Sequence, residues 1–516
     1  MKEYDVLVIG GGITGVGTAR DCAMRGLKTL LVERCDLTNG ATGRNHGLLH
    51  SGARYAVTDP ESAAECIREN RIIRRIASHC VDPVDGLFIT LPEDDMDYQG
   101  RFVSACRKAG IDAKVIDPEE VLRMEPEVNR DIIGAVRVPD ASIDPFRLAT
   151  ANAVDAKLHG ADILTYHEVT GFIMENGRVA GARLTDTTTG ETLSVRAAVT
   201  VNAAGIWGQK IAALAGAEVR LLPSKGSLLI FGHRVARMSI NRCRKPSSAD
   251  ILVPGEVVSV LGTTSSKVGM DECDDIRVTA AEVDELLREG CKLAPCLEQT
   301  RILRAYGGVR PLYATDDDPT GRNTSRGMVL LDHEERDGIP GFITITGGKL
   351  TTYRLMAQET TDLVCRKLKI RRKCRTAEEI LPGSGKTGGQ TDGPLPLKAA
   401  EGRHGTGVSM MDFGGKSEVL CGCEHVTRAE IAYAVKYLDV HNLLELRRRT
   451  RVGMGTCQGS FCMGKVAAAL AEELGCPEKD GELVAQYVQE RWKGIAPVCW
   501  GESLREAEYM QKLYNK

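Results

Sequence analysis

Tyr4-Asp5-Val6-Leu7-Val8-Ile9-Gly10-Gly11-Gly12-Ile13-Thr14-Gly15 runs an apolar stretch into a glycine-rich loop, and this segment sets the fold class. Tyr4 to Ile9 reads as a buried strand. Val16 to Arg25 reads as a helix closed by Gly26, and Lys28-Thr29-Leu30-Leu31-Val32 as a second strand ending at Glu33. Strand, turn, helix and strand are the setting in which G-x-G-x-x-G cradles a dinucleotide. Gly10 makes the tight turn, Gly12 lets backbone approach a pyrophosphate, and Gly15 permits close helix–strand packing. Ile13 and Thr14 carry the loop into the helix N-terminus, whose free N–H groups and positive potential suit phosphates. Glu33 can accept hydrogen bonds from a ribose 2′-hydroxyl, and its charge repels a 2′-phosphate, which argues against NADP. The fingerprint is compatible with NAD and with FAD.

Beyond that segment, 516 residues exceed one ordinary core and favour about three domains. A net charge of −3 gives no reason to expect nucleic acid, whose phosphates call for a basic face. Arg447-Arg448-Arg449 is a short basic cluster among apolar residues, suited to a solvated or domain-docking role. The start enters a strand at once, leaving no room for a signal peptide, and no apolar run reaches 18 residues. A cytoplasmic chain whose 17 cysteines are mostly reduced thiols is the expectation. Residues 381–415, rich in Pro and Gly, read as a linker. Gly385-Lys386-Thr387 within it mimics the end of a P-loop, but Ile380 stands where that loop needs Gly.

Gly40-Ala41-Thr42-Gly43-Arg44-Asn45-His46-Gly47-Leu48-Leu49-His50-Ser51-Gly52-Ala53-Arg54-Tyr55 resembles the glutathione-reductase-like flavoproteins of the D-amino-acid-oxidase type. In those a polar, glycine-rich stretch wraps the flavin's diphosphate and ring. The resemblance implies cofactor contacts from Arg34, Thr42, Gly43, Arg44, Asn45, His46, Gly47 and Leu48. Asn202-Ala203-Ala204-Gly205-Ile206-Trp207 resembles their later strand–turn element, which adds Ala204, Gly205 and Trp207, with Val169 from the strand region before it. Thr346-Gly347-Gly348-Lys349-Leu350-Thr351 leads into a helix, and a Gly-Gly turn there offers N–H donors to an anionic reduced flavin. The implied architecture is α/β: a Rossmann-like FAD-binding region at about 1–80, 145–220 and 325–370, with an inserted α+β substrate domain at about 81–144 and 221–324. A small helical 2Fe-2S domain at 416–475 and a helical extension at 476–516 complete it.

His50-Ser51-Gly52-Ala53-Arg54-Tyr55, Pro223-Ser224-Lys225-Gly226-Ser227, Leu261-Gly262-Thr263-Thr264, Tyr306-Gly307-Gly308-Val309-Arg310-Pro311-Leu312, Ser325-Arg326-Gly327 and Gly347-Gly348-Lys349 together resemble the FAD-dependent glycerol-3-phosphate dehydrogenases. A phosphate monoester calls for converging guanidinium forks. The resemblance implies that Arg54, Tyr55, Lys225, Thr264, Arg310 and Arg326 bind glycerol 3-phosphate. Arg310 and Lys349 are implied at the reacting centre. His50 is a candidate general base, its ordinary pKa suiting that work, and a flavin-contacting or packing His is the equal alternative. Leu228 and Ser265 stand where aerobic relatives carry His and Asp, so their base assignment does not transfer.

Cys421-Gly422-Cys423 and Cys457-Gln458-Gly459-Ser460-Phe461-Cys462 give C-x-C and C-x₄-C pairs. Thiolates suit an iron–sulfur cluster or zinc, though structural zinc prefers C-x₂₋₄-C knuckles, and a domain that has lost its cluster is the third alternative. The spacing resembles the bacterioferritin-associated ferredoxin-like domain, which implies a 2Fe-2S cluster on these four. Thr427-Arg428-Ala429-Glu430 reads as a capping box before a helix with Ile431, Ala434, Val435 and Leu438 on one face. Such a domain is an electron outlet. The resemblance implies three partners: the quinone pool, a second flavoprotein subunit, and a membrane-associated iron–sulfur subunit. Val484 to Lys516 reads either as an interface helix pair or as a cap on the cysteine domain. The competing functions are a 2-hydroxyacid or amino-acid dehydrogenase of the same fold, and a non-catalytic electron-transfer protein.

Overall fold

A computed structural model describes residues 1–314, 327–384, 395–404 and 418–514. Its first sheet is built around the strand Lys2–Ile9, which pairs in parallel with Thr29–Val32 on one side and Thr192–Asn202 on the other. Strand alternation sends Val6 and Val8 into one core and Leu7 and Ile9 into another, so the sheet is buried on both faces. The sheet continues through Arg178–Asp186 and His167–Glu175 at one edge and Asp162–Leu164 at the other, with Phe342–Gly347 added in parallel beside Thr192–Asn202. The helix after the glycine loop spans Ile13–Met24 and so starts three residues earlier than its apolar pattern suggests. Gly26, at φ +68°, ends it as expected.

The second sheet has nine strands, drawn from Gly86–Thr90, Lys114–Ile116 and Gly134–Val138 and then from segments between Leu221 and Tyr313. Two separated stretches of chain share one sheet. Its longest pairing sets Leu221–Phe231 antiparallel to Ile302–Tyr313, with Ser224 opposite Arg310 and Lys225 opposite Val309.

The cysteine-bearing segment folds as helices Arg428–Tyr437, Leu443–Thr450, Met463–Glu473 and Asp480–Ile495 around Val426, Ile431, Leu446, Val466 and Leu470. Thr427 caps the first of these, accepting from the Glu430 N–H at 3.2 Å. The reciprocal half of the expected capping box does not form. The Glu430 carboxylate is instead gripped by both forks of Arg403 at 2.7 Å and by His404 at 2.8 Å. Those two residues end a helix, Leu395–His404, inside the stretch read as linker. The linker reading is therefore corrected there: low apolar periodicity concealed a helix held by a buried ion pair. Gly385-Lys386-Thr387 lies outside the described residues. Val484, Tyr487 and Val488 pack into the cysteine domain's core, so Asp480–Ile495 is a cap, whereas Trp500 and Tyr509 on the following segment are exposed.

Arg448 and Arg449 dock this domain on the first. Both reach Asp36, just behind the second strand, at 2.7 and 2.5 Å, and Arg448 also reaches Asn39 at 3.0 Å. Arg451 bridges Asp144 at 3.0 Å and Glu424 at 3.1 Å. Burial acts to raise the Asp36 pKa, but Arg449 and then Arg448 overcome it and hold the carboxyl below its usual range. A depressed carboxyl contributes stability that is present above its unfolded pKa, about 3.9, and lost as pH falls through the lowered value. Arg449→Met is expected to cost about 3–5 kcal/mol, because it removes one partner of a buried charge. Denaturant unfolding against pH checks this: the gap between parent and variant should be full near neutral pH and should narrow as pH falls through the lowered Asp36 value.

Candidate functional site

The carboxyl ends of the parallel strands open onto a cavity of about 1050 Å³, lined by Ile9, Val32, Ala203 and Ile345 where those strands stop. Ligands of open α/β sheets bind at this place, and the volume lies at the top of the ordinary range of about 300–1,000 Å³. At one end Gly10 stands at φ +114°, and a Cβ on it would lie 2.6 Å from the Ala203 carbonyl oxygen. A Cβ on Gly15 would lie 1.8 Å from the Gly10 carbonyl oxygen, so helix and strand close on each other only without a side chain. Gly12 is the N-cap of the helix and makes no side-chain cap, although Thr42 Oγ1 accepts from the Ile13 N–H at 3.0 Å. The turn thus presents backbone donors to the cavity, the chemistry a pyrophosphate needs.

Glu33 lines the same end and accepts from the Gly11 N–H at 2.6 Å and the Cys35 N–H at 2.9 Å. Burial raises its pKa against those two donors. A carboxylate has about four acceptor sites, so Glu33 braces the turn and still has acceptor capacity for a ribose hydroxyl. Arg34 lies over the Trp207 ring at 4.6 Å, a flat wall beside Glu33. Val169, Ala204 and Gly205 complete that end.

The cavity's other end joins Gly347 and Gly348, at φ +71° and +69°, to Lys349 and Leu350. The Lys349 ammonium sits 4.8 Å from the centre of the Tyr55 ring, whose other neighbour is the His50 ring at 5.5 Å. His50 is buried, and its backbone N–H donates to Thr351 Oγ1 at 3.2 Å. Arg310 reaches over from the second sheet, donating to Ser224 Oγ at 3.3 Å and to the Thr264 carbonyl at 3.1 Å. Arg54 pairs with Asp250 at 3.2 Å through one terminal nitrogen. Its other, Nη1, is buried with no hydrogen-bond partner among the described residues. One fold therefore gathers Arg54, Arg310, Lys349, Tyr55, His50 and Thr264 onto a single cavity.

Other expected residues stand elsewhere. Lys225 is not brought to the cavity: its ammonium pairs with Glu282 at 2.7 Å and donates to the Arg277 carbonyl. The reason is strand parity. Ser224 and Gly226 share the face of Arg310, and Lys225 between them points the other way. Gly15, Gly43, Gly47, Leu48 and Thr351 support the wall without lining it; Gly43, for example, fits beneath the Thr38 carbonyl, which a Cβ would meet at 2.4 Å. Arg326 lies outside the described residues. Lys245 and Thr263 also line the cavity beside Arg54 and Arg310 and were not singled out from the sequence. Lys245 belongs to the run Arg242-Cys243-Arg244-Lys245, a basic signal that singles out no member.

Cys421, Cys423, Cys457 and Cys462 come together as two pairs. Cys421 accepts first from the Cys462 thiol, and burial is outweighed by that bond with N–H groups of Gly453, Glu424 and Cys423, which together bring its pKa down to about 6. Cys457 faces Cys423; burial raises its pKa against N–H groups of Phe461 and Gly459. Among the described residues no three His, Cys, Asp or Glu side chains gather on one point, as a single ion requires. Two thiol pairs with converging N–H donors fit a two-iron cluster, in which each iron takes two thiolates. The Tyr487 hydroxyl braces the loop that carries Cys457 and Cys462, with the Gln458 carbonyl at 2.9 Å and the Gly453 carbonyl at 3.2 Å as its acceptors.

Comparison with known proteins agrees with both halves. Residues 5–354 match the model of the FAD dependent oxidoreductase family, and residues 419–472 that of the BFD-like [2Fe-2S] binding domain. The protein is an FAD-dependent oxidoreductase carrying a 2Fe-2S domain. The A subunit of the anaerobic glycerol-3-phosphate dehydrogenase of Escherichia coli (strain K12) is 58% identical over 100% of this chain and 96% of its own length. The A1 subunit of that enzyme from Haloferax volcanii is 42% identical over 99% of this chain and 90% of its own. The glycerol-3-phosphate dehydrogenase from Bacillus halodurans, solved with FAD, shares the fold: TM-score 0.73 at 23% identity, covering 97% of each chain. The chain belongs to the family of anaerobic glycerol-3-phosphate dehydrogenase A subunits.

Replacing Cys421 with Ser is expected to remove the cluster's iron and acid-labile sulfide while the flavin is retained. Iron and sulfide analysis beside the visible spectrum checks this; full iron in the variant would take Cys421 out of the ligand set.

Proposed function

We propose that this chain is the catalytic subunit that oxidises sn-glycerol 3-phosphate to dihydroxyacetone phosphate, with the electrons passing to partner subunits and a quinone. The observation that carries the reading is Arg54: a guanidinium whose buried Nη1 has no hydrogen-bond partner among the described residues, facing the same cavity as Arg310 and the Gly347-Gly348 turn. A buried unsatisfied donor costs about 1–3 kcal/mol unless a ligand meets it, and a phosphate or carboxylate supplies the matching acceptor. The names of the A-subunit relatives favour the phosphate.

FAD, when bound, supplies the hydride acceptor and the 2Fe-2S cluster supplies one-electron exchange. Gly10, Gly12, Ile13, Thr14, Glu33, Arg34, Thr42, Arg44, Asn45, His46, Val169, Ala204, Gly205 and Trp207 would hold the dinucleotide, with Gly347, Gly348, Lys349 and Leu350 at its reacting end. Arg54 and Arg310, with Arg326 as a third candidate, would clamp the substrate phosphate. Thr264, through its carbonyl, fixes Arg310. Tyr55 and Lys349 would orient the reacting hydroxyl, and His50, in contact with the Tyr55 ring, would take its proton. The buried position of His50 keeps bulk water from that proton path.

The FAD-binding shell comprises about 1–80, 145–220 and 325–370, the substrate domain about 81–144 and 221–324, and the cluster domain 416–475 with its helical cap. Among the described residues no helix is long and apolar enough to cross a membrane. We place the chain in the cytoplasm, attached to the inner membrane face through two partner subunits, one a second flavoprotein and one a membrane-associated iron–sulfur protein.

Adding glycerol 3-phosphate to anaerobic holoprotein should bleach the flavin band. Bleaching by 2-hydroxyglutarate or an amino acid but not by glycerol 3-phosphate would overturn the reading. Arg54→Ala and Arg310→Ala should each lower kcat/KM by roughly ten- to a hundred-fold, mostly through KM, as lost charge-assisted bonds do.

A further inference from the structure

A second cavity, of about 280 Å³, lies between the flavin-binding shell, the second sheet and the cysteine domain. A partition separates it from the first. The loop Arg44–His46 is pinned to the strand Ile302–Tyr313 by the Tyr306 hydroxyl, which donates to the Asn45 carbonyl at 2.8 Å. At Gly308 the strand passes so close that a Cβ would meet the Arg44 carbonyl oxygen at 2.4 Å. Arg304, Tyr306, Gly308 and Arg310 alternate onto one face of that strand. Arg310 thus serves the first cavity, and Arg304, roughly 20 Å along the strand at about 3.3 Å per residue, serves the second.

The second cavity's charges do not balance. Arg147 and Arg451 are paired with Asp144, Glu256 and Glu424, and Arg448 with Asp36. Lys493 is paired with Asp275 at 3.0 Å and with Glu490 at 3.2 Å. Arg44, Arg304 and Arg447 also line the cavity. Arg304 is 8% exposed, and the Nε atoms of Arg304 and Arg447 are buried with no hydrogen-bond partner among the described residues. Glu490 faces Arg44 and Arg447, and Asp275 also faces Arg44; burial would raise the Glu490 pKa, but Lys493, Arg44 and Arg304 hold it low. Burial, followed by repulsion from Arg304, pushes the Arg447 pKa down to about 9. Guanidinium donors gathered in one cavity call for a polyanionic oxygen acceptor. The apolar wall of Ile143, Phe146, Ile230 and Ile276 leaves room for a small organic body.

We propose that this cavity is a phosphate-binding site, distinct from the substrate clamp, in which Arg44, Arg304 and Arg447 hold a phosphate group at the junction of the domains. The three arginines come from a loop of the flavin shell, a strand of the second sheet and a helix of the cysteine domain, so the ligand staples the two redox domains together. The phosphate is either free inorganic phosphate or the head of a small phosphate ester.

The test uses anaerobically purified holoprotein and inorganic phosphate, followed by equilibrium dialysis and thermal unfolding. Because the substrate clamp also takes phosphate, Arg310→Ala is the background. That variant should still bind phosphate, with its Tm raised by roughly 2–5 °C at saturation. Adding Arg447→Gln should weaken the remaining binding at least ten-fold, with flavin and cluster absorption verifying the fold. Should that pair misfold, Arg304→Lys on the same background makes the same comparison. Phosphate binding that disappears with Arg310→Ala alone, or that survives Arg447→Gln and Arg304→Lys unchanged, would overturn the proposal. Mass spectrometry of acid-released ligands separates the two sources. An ester that blocks phosphate uptake until it is removed identifies the head group; immediate uptake identifies the free ion.

Discussion

A Cβ on Gly15 would sit 1.8 Å from the carbonyl oxygen of Gly10, and one on Gly10 would sit 2.6 Å from that of Ala203. Three backbone segments meet at that point with no room for side chains, and the cofactor end depends on the contact. It lets the first helix start at Ile13 with its N–H groups facing the cavity. It also brings Gly11 within reach of Glu33, whose carboxylate fixes the loop from the next strand. Asp36 follows three residues later, and its bonds to Arg448 and Arg449 hang the cysteine domain on the same corner. Loop, cavity and domain docking are therefore one mechanical unit.

Charge placement then divides the chain's arginines by task. Arg403 and Arg449 are buried against carboxylates, where they hold domains and loops in position. Arg54 retains an unpaired nitrogen at the first cavity, and Arg304 and Arg447 each retain one at the second. Unpaired buried donors are costly, and at these two cavities an incoming anion would supply the missing acceptor. Among the described residues, a single strand, Ile302–Tyr313, carries one kind of donor to each cavity. The helix Asp480–Ile495 closes the second of them with Glu490, Lys493 and Gly494.

Features that depend on neighbours along the chain are legible without any structure. The strand–glycine loop–helix–strand unit, the acid Glu33 at the end of its second strand, the Gly347-Gly348 turn and the two cysteine pairs belong here, because local spacing makes each geometry. Resemblance to a family carried the reading further, to Arg54 and Arg310. Which way a side chain faces was settled only by folding. Lys225 stands one residue from Ser224 and Gly226, yet strand parity and the Glu282 partner turn it away. Glu430 completes a capping-box pattern in sequence, yet a helix from the stretch read as linker claims its carboxylate. Arg447, Arg448 and Arg449 form one run, but helical rotation brings Arg448 and Arg449 to Asp36 and leaves Arg447 facing the second cavity without that partner. A burial partner hundreds of residues away leaves no trace in local pattern, because the energy that selects it arises only when the two surfaces exclude water together.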